Sequence, residues 1–171
     1  MLNKIIRLGL TALIIVWSVF QFADGNIGNG ISLVLLASLV FLTYLRNENI
    51  IVALWYLRKN NIDKAERALN RIKNPEKSLI KSQAAYYYLL KGMLESQRGV
   101  GKSETLLKKS LNMGLRSKSD QALAKLNLAG IALSRRRKRE AQILLTEVKK
   151  LDEKKMFAEQ VKMIKEQMKK I

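Results

Sequence analysis

Two long apolar runs open the chain, separated by a short polar link. Residues 5–23 are apolar apart from Arg7 and a few neutral polar side chains, and residues 27–45 carry no charge. Each run has about 19 residues, close to the roughly 20 with which a helix crosses the apolar core of a bilayer. The link at residues 24–26 is rich in turn-forming residues. Helices joined so tightly form an antiparallel hairpin, so the pattern predicts a two-helix transmembrane anchor over residues 1–46.

The charges that flank the two runs predict the orientation of this hairpin. Lys4 and Arg7 stand at the start of the first run and Arg46 follows the second, whereas the link has no basic residue. Basic residues collect on the cytoplasmic side of membranes. We therefore expect an inner-membrane protein with both termini and the rest of the chain in the cytoplasm. A cleaved signal peptide and a pair of buried core helices are the alternatives, and no small-residue cleavage motif supports the first.

A different pattern begins after residue 46, where one helical motif recurs three times. Small residues stand at Ala65, Ser103 and Ala141, and the leucines four positions after each are also 38 residues apart. A fixed period of this length is typical of stacked structural repeats, in which each unit buries its apolar face against a neighbour. Asparagine, glycine and proline interrupt the helical pattern inside and between the repeats, which predicts two antiparallel helices in each.

The predicted helices follow from these interruptions. The three pairs are 49–59 with 62–73, 82–97 with 102–113, and 120–134 with 140–151. A last helix over 155–170 places Phe157, Val161, Ile164 and Met168 on one face, where they would cover the open end of the third pair. The predicted fold class is all-α. It comprises the hairpin at 1–46, an α-solenoid of three helix pairs at 47–153, and a basic capping helix at 154–171.

The repeated motif resembles the tetratricopeptide repeat, whose first helix carries W-x2-L-G-x2-Y and whose second carries A-x3-F. The small position of the first helix corresponds to Ala53, Gly92 and Ala129, and the alanine of the second helix to Ala65, Ser103 and Ala141. The resemblance covers residues 47–153. With the hairpin included, the chain is similar to an uncharacterised group of bacterial membrane-anchored tetratricopeptide proteins.

The resemblance also implies a binding groove, because the first helix of each repeat lines the inner surface in this family. The side chains that would line it here are apolar or aromatic: Ile50, Leu54, Tyr86, Leu89, Met93, Leu123, Leu126 and Leu133. Such a groove suits an amphipathic or extended hydrophobic segment of a partner. The alternative is that the terminal helix of the chain fills the groove.

Charge adds a second candidate surface. The chain has 32 Lys and Arg against 14 Asp and Glu, a net charge of +18, of which +16 falls after residue 46. This excess predicts attraction to nucleic acid, to the ribosome or to anionic lipid. The densest run is Arg135, Arg136, Arg137, Lys138 and Arg139, which we predict to contact phosphate groups of RNA or lipid. The alternative is a solvated turn between two helices.

The composition argues against chemistry. The chain has no cysteine and no histidine, which excludes disulfides, the usual zinc sites and catalytic centres built on those residues. The acidic residues are scattered, so we expect no enzyme activity, no metal and no cofactor. Residues 99–103 look like the end of a phosphate-binding loop, but Ser96 stands where its first glycine is required. A turn between helices is the preferred interpretation of that segment.

These patterns favour an integral membrane protein whose repeat domain is a scaffold or adaptor for a protein partner, in particular a membrane complex. The alternative function is a basic membrane tether for the ribosome or RNA, accessory to a membrane-insertion or secretion complex. A third interpretation is that the lysines hold the repeat domain against anionic lipid headgroups.

Overall fold

In the computed structural model, which describes residues 4–45, 48–96 and 99–170, every regular element is a helix. This confirms the predicted all-α class. The chain divides into two compact units, Met1–Glu48 and Asn49–Ile171. The described helices are α1 Lys4–Ala23, α2 Ile27–Leu45, α3 Glu48–Arg58, α4 Ile62–Asn70, α5 Pro75–Ser78, α6 Lys81–Ser96, α7 Val100–Met113, α8 Lys118–Ser134, α9 Lys138–Leu151 and α10 Ala158–Lys170.

The first unit is a hairpin in which α1 and α2 pack along a seam with a seven-residue repeat. Alternating steps of three and four residues separate the positions that are shielded from solvent, as in a coiled coil. On α1 and α2 respectively, these positions are Thr11, Ile14, Ser18 and Gln21, and Gly30, Leu33, Ala37 and Val40. The turn between the helices uses Gly25 at a φ of 77°, a conformation that glycine adopts without strain.

Small residues bring the two backbones of the hairpin together. Ser18 is 2% exposed, and its Oγ donates a hydrogen bond to the carbonyl oxygen of Gly30 at 3.1 Å. A β-carbon added at Gly30 would lie 2.8 Å from the ring of Phe22. Any larger residue at position 30 would therefore displace that ring from the hairpin.

The structure does not support the transmembrane character predicted for this hairpin. Among the described residues, no helix combines the length and the apolar character that crossing a membrane requires. The hairpin itself is present, with helices of 20 and 19 residues. The side chains of Lys4, Arg7 and Arg46, on which the predicted orientation rests, lie outside the described side chains.

The second unit contains three helix pairs, α3 with α4, α6 with α7, and α8 with α9. The positions that repeat every 38 residues all lie in the second helix of a pair. All six are 0% exposed: Ala65, Leu69, Ser103, Leu107, Ala141 and Leu145. Within each second helix the two positions are four residues apart and therefore share one face. That face is directed toward the core of the helix pair.

The second pair shows why small residues are needed there. A β-carbon added at Gly92 of α6 would lie 2.8 Å from Leu107 Cγ of α7. The buried hydroxyl of Ser103 donates a hydrogen bond to the Gly92 carbonyl oxygen at 2.8 Å. In this structure Ser103 serves helix packing, and the glycine-rich segment before it is the start of α7.

The end of the first pair differs from the prediction. Helix α4 ends at Asn70, three residues before the predicted end, and Pro75 begins the short helix α5. Proline has no N–H to lose at the first position of a helix and its fixed φ suits that position. Asn74, with a φ of 50°, makes the sharp change of direction between the two helices.

The terminal helix α10 packs against α8 and α9, through Val161, which is 3% exposed, and the half-buried Ile164. It begins at Ala158, later than predicted, because the residues before it form a turn. The two carboxylate oxygens of Asp152 accept hydrogen bonds from the N–H groups of Met156, at 2.9 Å, and Phe157, at 2.7 Å. This turn redirects the chain from α9 into α10.

Candidate interaction surfaces

The outward surface of the hairpin is almost wholly apolar. Seventeen large apolar side chains of α1 and α2 are exposed, among them Leu13 at 68%, Trp17 at 63% and Phe20 at 65%, whereas the described part of 49–171 exposes seven. Monomeric proteins in water rarely expose contiguous apolar surface on this scale. The hairpin therefore has an inverted arrangement, with large apolar residues outside and with small or polar residues at five of the eight seam positions.

Half of the predicted groove residues lie in the core of the repeat domain. Ile50, Leu89, Leu126 and Leu133 are between 0% and 7% exposed and belong to its hydrophobic clusters. Ile164 of α10 packs against the clusters that contain Leu126 and Leu133. In the third pair, the terminal helix thus covers the positions where a partner was expected.

The other four predicted groove residues are half-buried: Leu54, Tyr86, Met93 and Leu123. Tyr86 packs against the core clusters of the first and second pairs, and Met93 against that of the second. Burial, with a smaller contribution from the negative charge of Asp120, raises the pKa of Tyr86 above its ordinary value. Its phenol therefore remains protonated at neutral pH, with part of the ring accessible.

The basic run comprises the turn between α8 and α9 and the first two residues of α9. Arg136 has a φ of 59°, the left-handed conformation common where a helix ends. Its N–H donates to the Leu133 carbonyl at 2.8 Å, and the N–H of Arg137 donates to the Ala132 carbonyl at 2.8 Å. The backbone of the run is therefore fixed by the end of α8.

Glu104 of α7, which is only 8% exposed, gathers three cations around this turn. Its Oε1 accepts a hydrogen bond from Lys108 Nζ at 2.7 Å. Its Oε2 accepts from Arg135 Nη1 at 2.6 Å and Arg137 Nη2 at 2.9 Å. The bond from Lys108, followed by that from Arg137, lowers the pKa of Glu104 to about 2. Two arginines of the basic run thus hold the turn against α7.

The remaining three basic side chains of the run, Arg136, Lys138 and Arg139, are exposed and make no ion pair among the described residues. Together with Arg137, Glu140 and the 54% exposed Ile143, they border a cavity of about 740 Å³. This surface combines uncompensated positive charge with an apolar side chain. Three of the five predicted phosphate contacts are therefore placed where an anion could reach them.

Sequence reasoning missed the role of Glu104. It is the one acidic residue in α7 and directly follows the buried Ser103, and these two features could have identified it. Glu76 of α5 was missed as well. It accepts a hydrogen bond from the Tyr88 hydroxyl at 2.9 Å and pairs with Lys109, whose ammonium lies 4.3 Å from the Tyr88 ring centroid. No sequence signal joined these three residues, because their contact depends on how α5, α6 and α7 pack.

No family model matches the chain, and comparisons with curated proteins and with solved structures returned no match to it. The assignment of a function therefore depends on the surfaces of the protein itself.

Proposed function

We propose that this protein is a membrane-associated adaptor. The apolar hairpin holds the chain in the inner membrane, and the repeat domain binds a protein partner, such as a membrane complex, at the cytoplasmic face. The proposal treats the helix pairs as a tetratricopeptide-like solenoid, a class whose usual role is binding.

The inverted hairpin is the observation that carries this proposal. Burying a large apolar side chain contributes about 1.5–3 kcal/mol. For seventeen side chains that are roughly half exposed, covering the surface is worth on the order of 10–25 kcal/mol. This exceeds the stability of an ordinary domain, so the hairpin needs an apolar environment. Its seam also suits lipid, where helices associate through small residues and serine hydrogen bonds.

The cytoplasmic placement rests on charge. The chain after residue 46 carries +16, and segments rich in Lys and Arg are retained on the cytoplasmic side. The partner surface is proposed at the first two helix pairs, because α10 covers Leu126 and Leu133 in the third. Leu54, Tyr86 and Met93 remain half-buried there. A hydrophobic segment of the partner would pack on them.

Charge inserted into the hairpin surface tests the membrane component of the proposal. Leu13 of α1 and Leu35 and Leu39 of α2 are 62–68% exposed and lie near the middle of their helices, where one arginine costs about 2.5–3.5 kcal/mol in a bilayer. We expect the triple change of these leucines to arginine, which stays charged at alkaline pH, to release much of the protein from membranes at alkaline pH, because the summed cost approaches the gain from covering the hairpin surface. The matched triple change to isoleucine should stay in the pellet. Equal partition of both variants would refute the anchor.

Crosslinking tests the adaptor component. A photoreactive amino acid in place of Met93 should capture a defined protein that the same group in place of Met163 does not. Met163 is a suitable control because it is 55% exposed on α10, away from the proposed surface. The same products from both positions, or none from either, would count against the partner surface.

A second candidate function is the basic tether, favoured by the uncompensated charge of Arg136, Lys138 and Arg139 beside their cavity. Binding of ribosomes or RNA through phosphates must weaken steeply between about 50 and 200 mM salt. The triple change of these residues to glutamine should remove most of that salt dependence. A partner held on the apolar surface would instead remain bound at high salt.

A further inference from the structure

A second basic cavity, separate from the turn at 135–139, lies between the end of α9, the turn after it and α10. Its volume is about 740 Å³, within the range of small-molecule sites in proteins. Five lysines and three acidic residues surround an apolar floor. The lining residues are Lys149, Asp152, Glu153, Lys155, Ala158, Val161, Lys162, Lys165, Glu166 and Lys169.

Two of the three acidic side chains accept hydrogen bonds from groups other than the cavity lysines. Both oxygens of Asp152 accept backbone N–H groups of the turn that precedes α10. Glu153 Oε1 accepts a hydrogen bond from Lys118 Nζ of α8 at 2.6 Å. Among the described residues, none of the five cavity lysines forms an ion pair with a carboxylate. The positive charge of the cavity is therefore largely uncompensated.

The cavity also brings like charges together. Lys162, Lys165 and Lys169 follow the i, i+3, i+7 spacing of one helix face, and Lys149 of α9 lines the same cavity. The neighbouring Lys149 ammonium lowers the pKa of Lys165 below its ordinary value. An anion between the two ammonium groups would convert their repulsion into attraction.

We propose that this cavity binds a phosphorylated ligand, with its phosphoryl group between Lys149 and Lys165 and its remainder over Ala158 and Val161. A phosphoryl group carries enough charge to satisfy two ammonium groups at once, and lysine binds phosphate as a point charge. Ala158 and Val161 are the apolar residues that line the cavity, and they form its floor. A soluble phosphate ester and the headgroup of an anionic phospholipid share this chemistry.

The experiment uses the full chain in mild detergent and separates these two sources. Inorganic pyrophosphate, titrated by calorimetry, probes a soluble ligand. Native mass spectrometry after incubation with equal amounts of phosphatidic acid and phosphatidylcholine probes a lipid headgroup. The cavity variant is Lys149→Gln with Lys165→Gln. Its matched control is Lys150→Gln with Lys154→Gln, which removes the same charge from exposed residues outside the cavity.

Binding of pyrophosphate that weakens at least tenfold in the cavity variant, and less than twofold in the control, would assign a soluble phosphate ligand. Retention of phosphatidic acid over phosphatidylcholine, lost in the cavity variant alone, would assign a lipid headgroup. Equal losses in both variants would show that general charge is responsible and would overturn the site. Absence of both kinds of binding in the unmodified chain would overturn it as well. Circular dichroism of each variant confirms that the helices are retained.

Discussion

The hairpin and the repeat domain use the same amino acids in opposite places. In the repeat domain, leucines such as Leu69, Leu107 and Leu145 are 0% exposed and lysines face outward. In the hairpin, large apolar residues such as Leu13 face outward, while the seam holds Ser18 at 2% exposure. Helical periodicity alone shows which residues share a face. The environment decides which face is buried, and the proposed function places the two units in two environments.

One packing device is common to both units. Ser18 donates to the Gly30 carbonyl across the hairpin, and Ser103 donates to the Gly92 carbonyl across the second helix pair. In each case glycine lets the helices approach closely and serine satisfies an oxygen at the contact. The same serine–glycine contact therefore forms in both units. The units differ in the size and polarity of the side chains around that contact.

The largest effect is expected from truncating leucines in the two units. Leu107→Ala should lower the free energy of unfolding by about 2–5 kcal/mol, because it leaves a cavity in a fully buried site. Leu13→Ala removes a side chain that is 68% exposed and should change the unfolding of the repeat domain by less than about 0.5 kcal/mol. Urea denaturation in detergent, followed by circular dichroism, measures both. Similar losses of unfolding free energy in both variants would contradict the contrast between buried leucines in the repeat domain and exposed leucines in the hairpin.

Two glycines test whether the close approach of two helices requires a residue without a side chain. Gly92→Ala places a methyl group 2.8 Å from Leu107 and should cost about 1–3 kcal/mol through overpacking. Gly130→Ala, on the first helix of the third pair, meets nothing within 4 Å. It should stabilise by up to about 1 kcal/mol, because alanine favours helices. Thermal unfolding of the two variants should shift in opposite directions, and shifts of equal sign would refute the packing account.

A smaller, pH-dependent effect is expected from Glu104. Its folded-state pKa is near 2, below the ordinary value of 4.5, so its contribution is complete above pH 4.5 and is lost as the pH falls towards 2. Glu104→Gln should destabilise by about 1–3 kcal/mol at pH 7. The difference from the unmodified protein should shrink below pH 4.5. A difference that stays constant down to pH 2.5 would show that charge is not its cause.

The sequence predicts much of the local structure and less of the surfaces. The interval between Ala65, Ser103 and Ala141 identifies the buried face of each second helix, because that period reflects packing between neighbouring helices. The sequence pattern placed Leu126 and Leu133 in a partner groove, whereas the structure buries them beside α10. Whether a first-helix residue faces a partner or α10 depends on a long-range contact that periodicity does not encode. That Lys149 and Lys165 line one cavity was missed for the same reason.

The most direct test of the proposed membrane hairpin is whether its exposed apolar side chains lie in lipid or in water. The chain has no cysteine, so Leu13→Cys, Leu39→Cys and Ile143→Cys each provide a single thiol for an environment-sensitive dye. In reconstituted vesicles, we expect dyes at positions 13 and 39 to be quenched by nitroxide-labelled lipid and protected from aqueous iodide. The dye at position 143 should behave in the opposite way. Equal access of iodide to all three positions would contradict the proposed membrane hairpin.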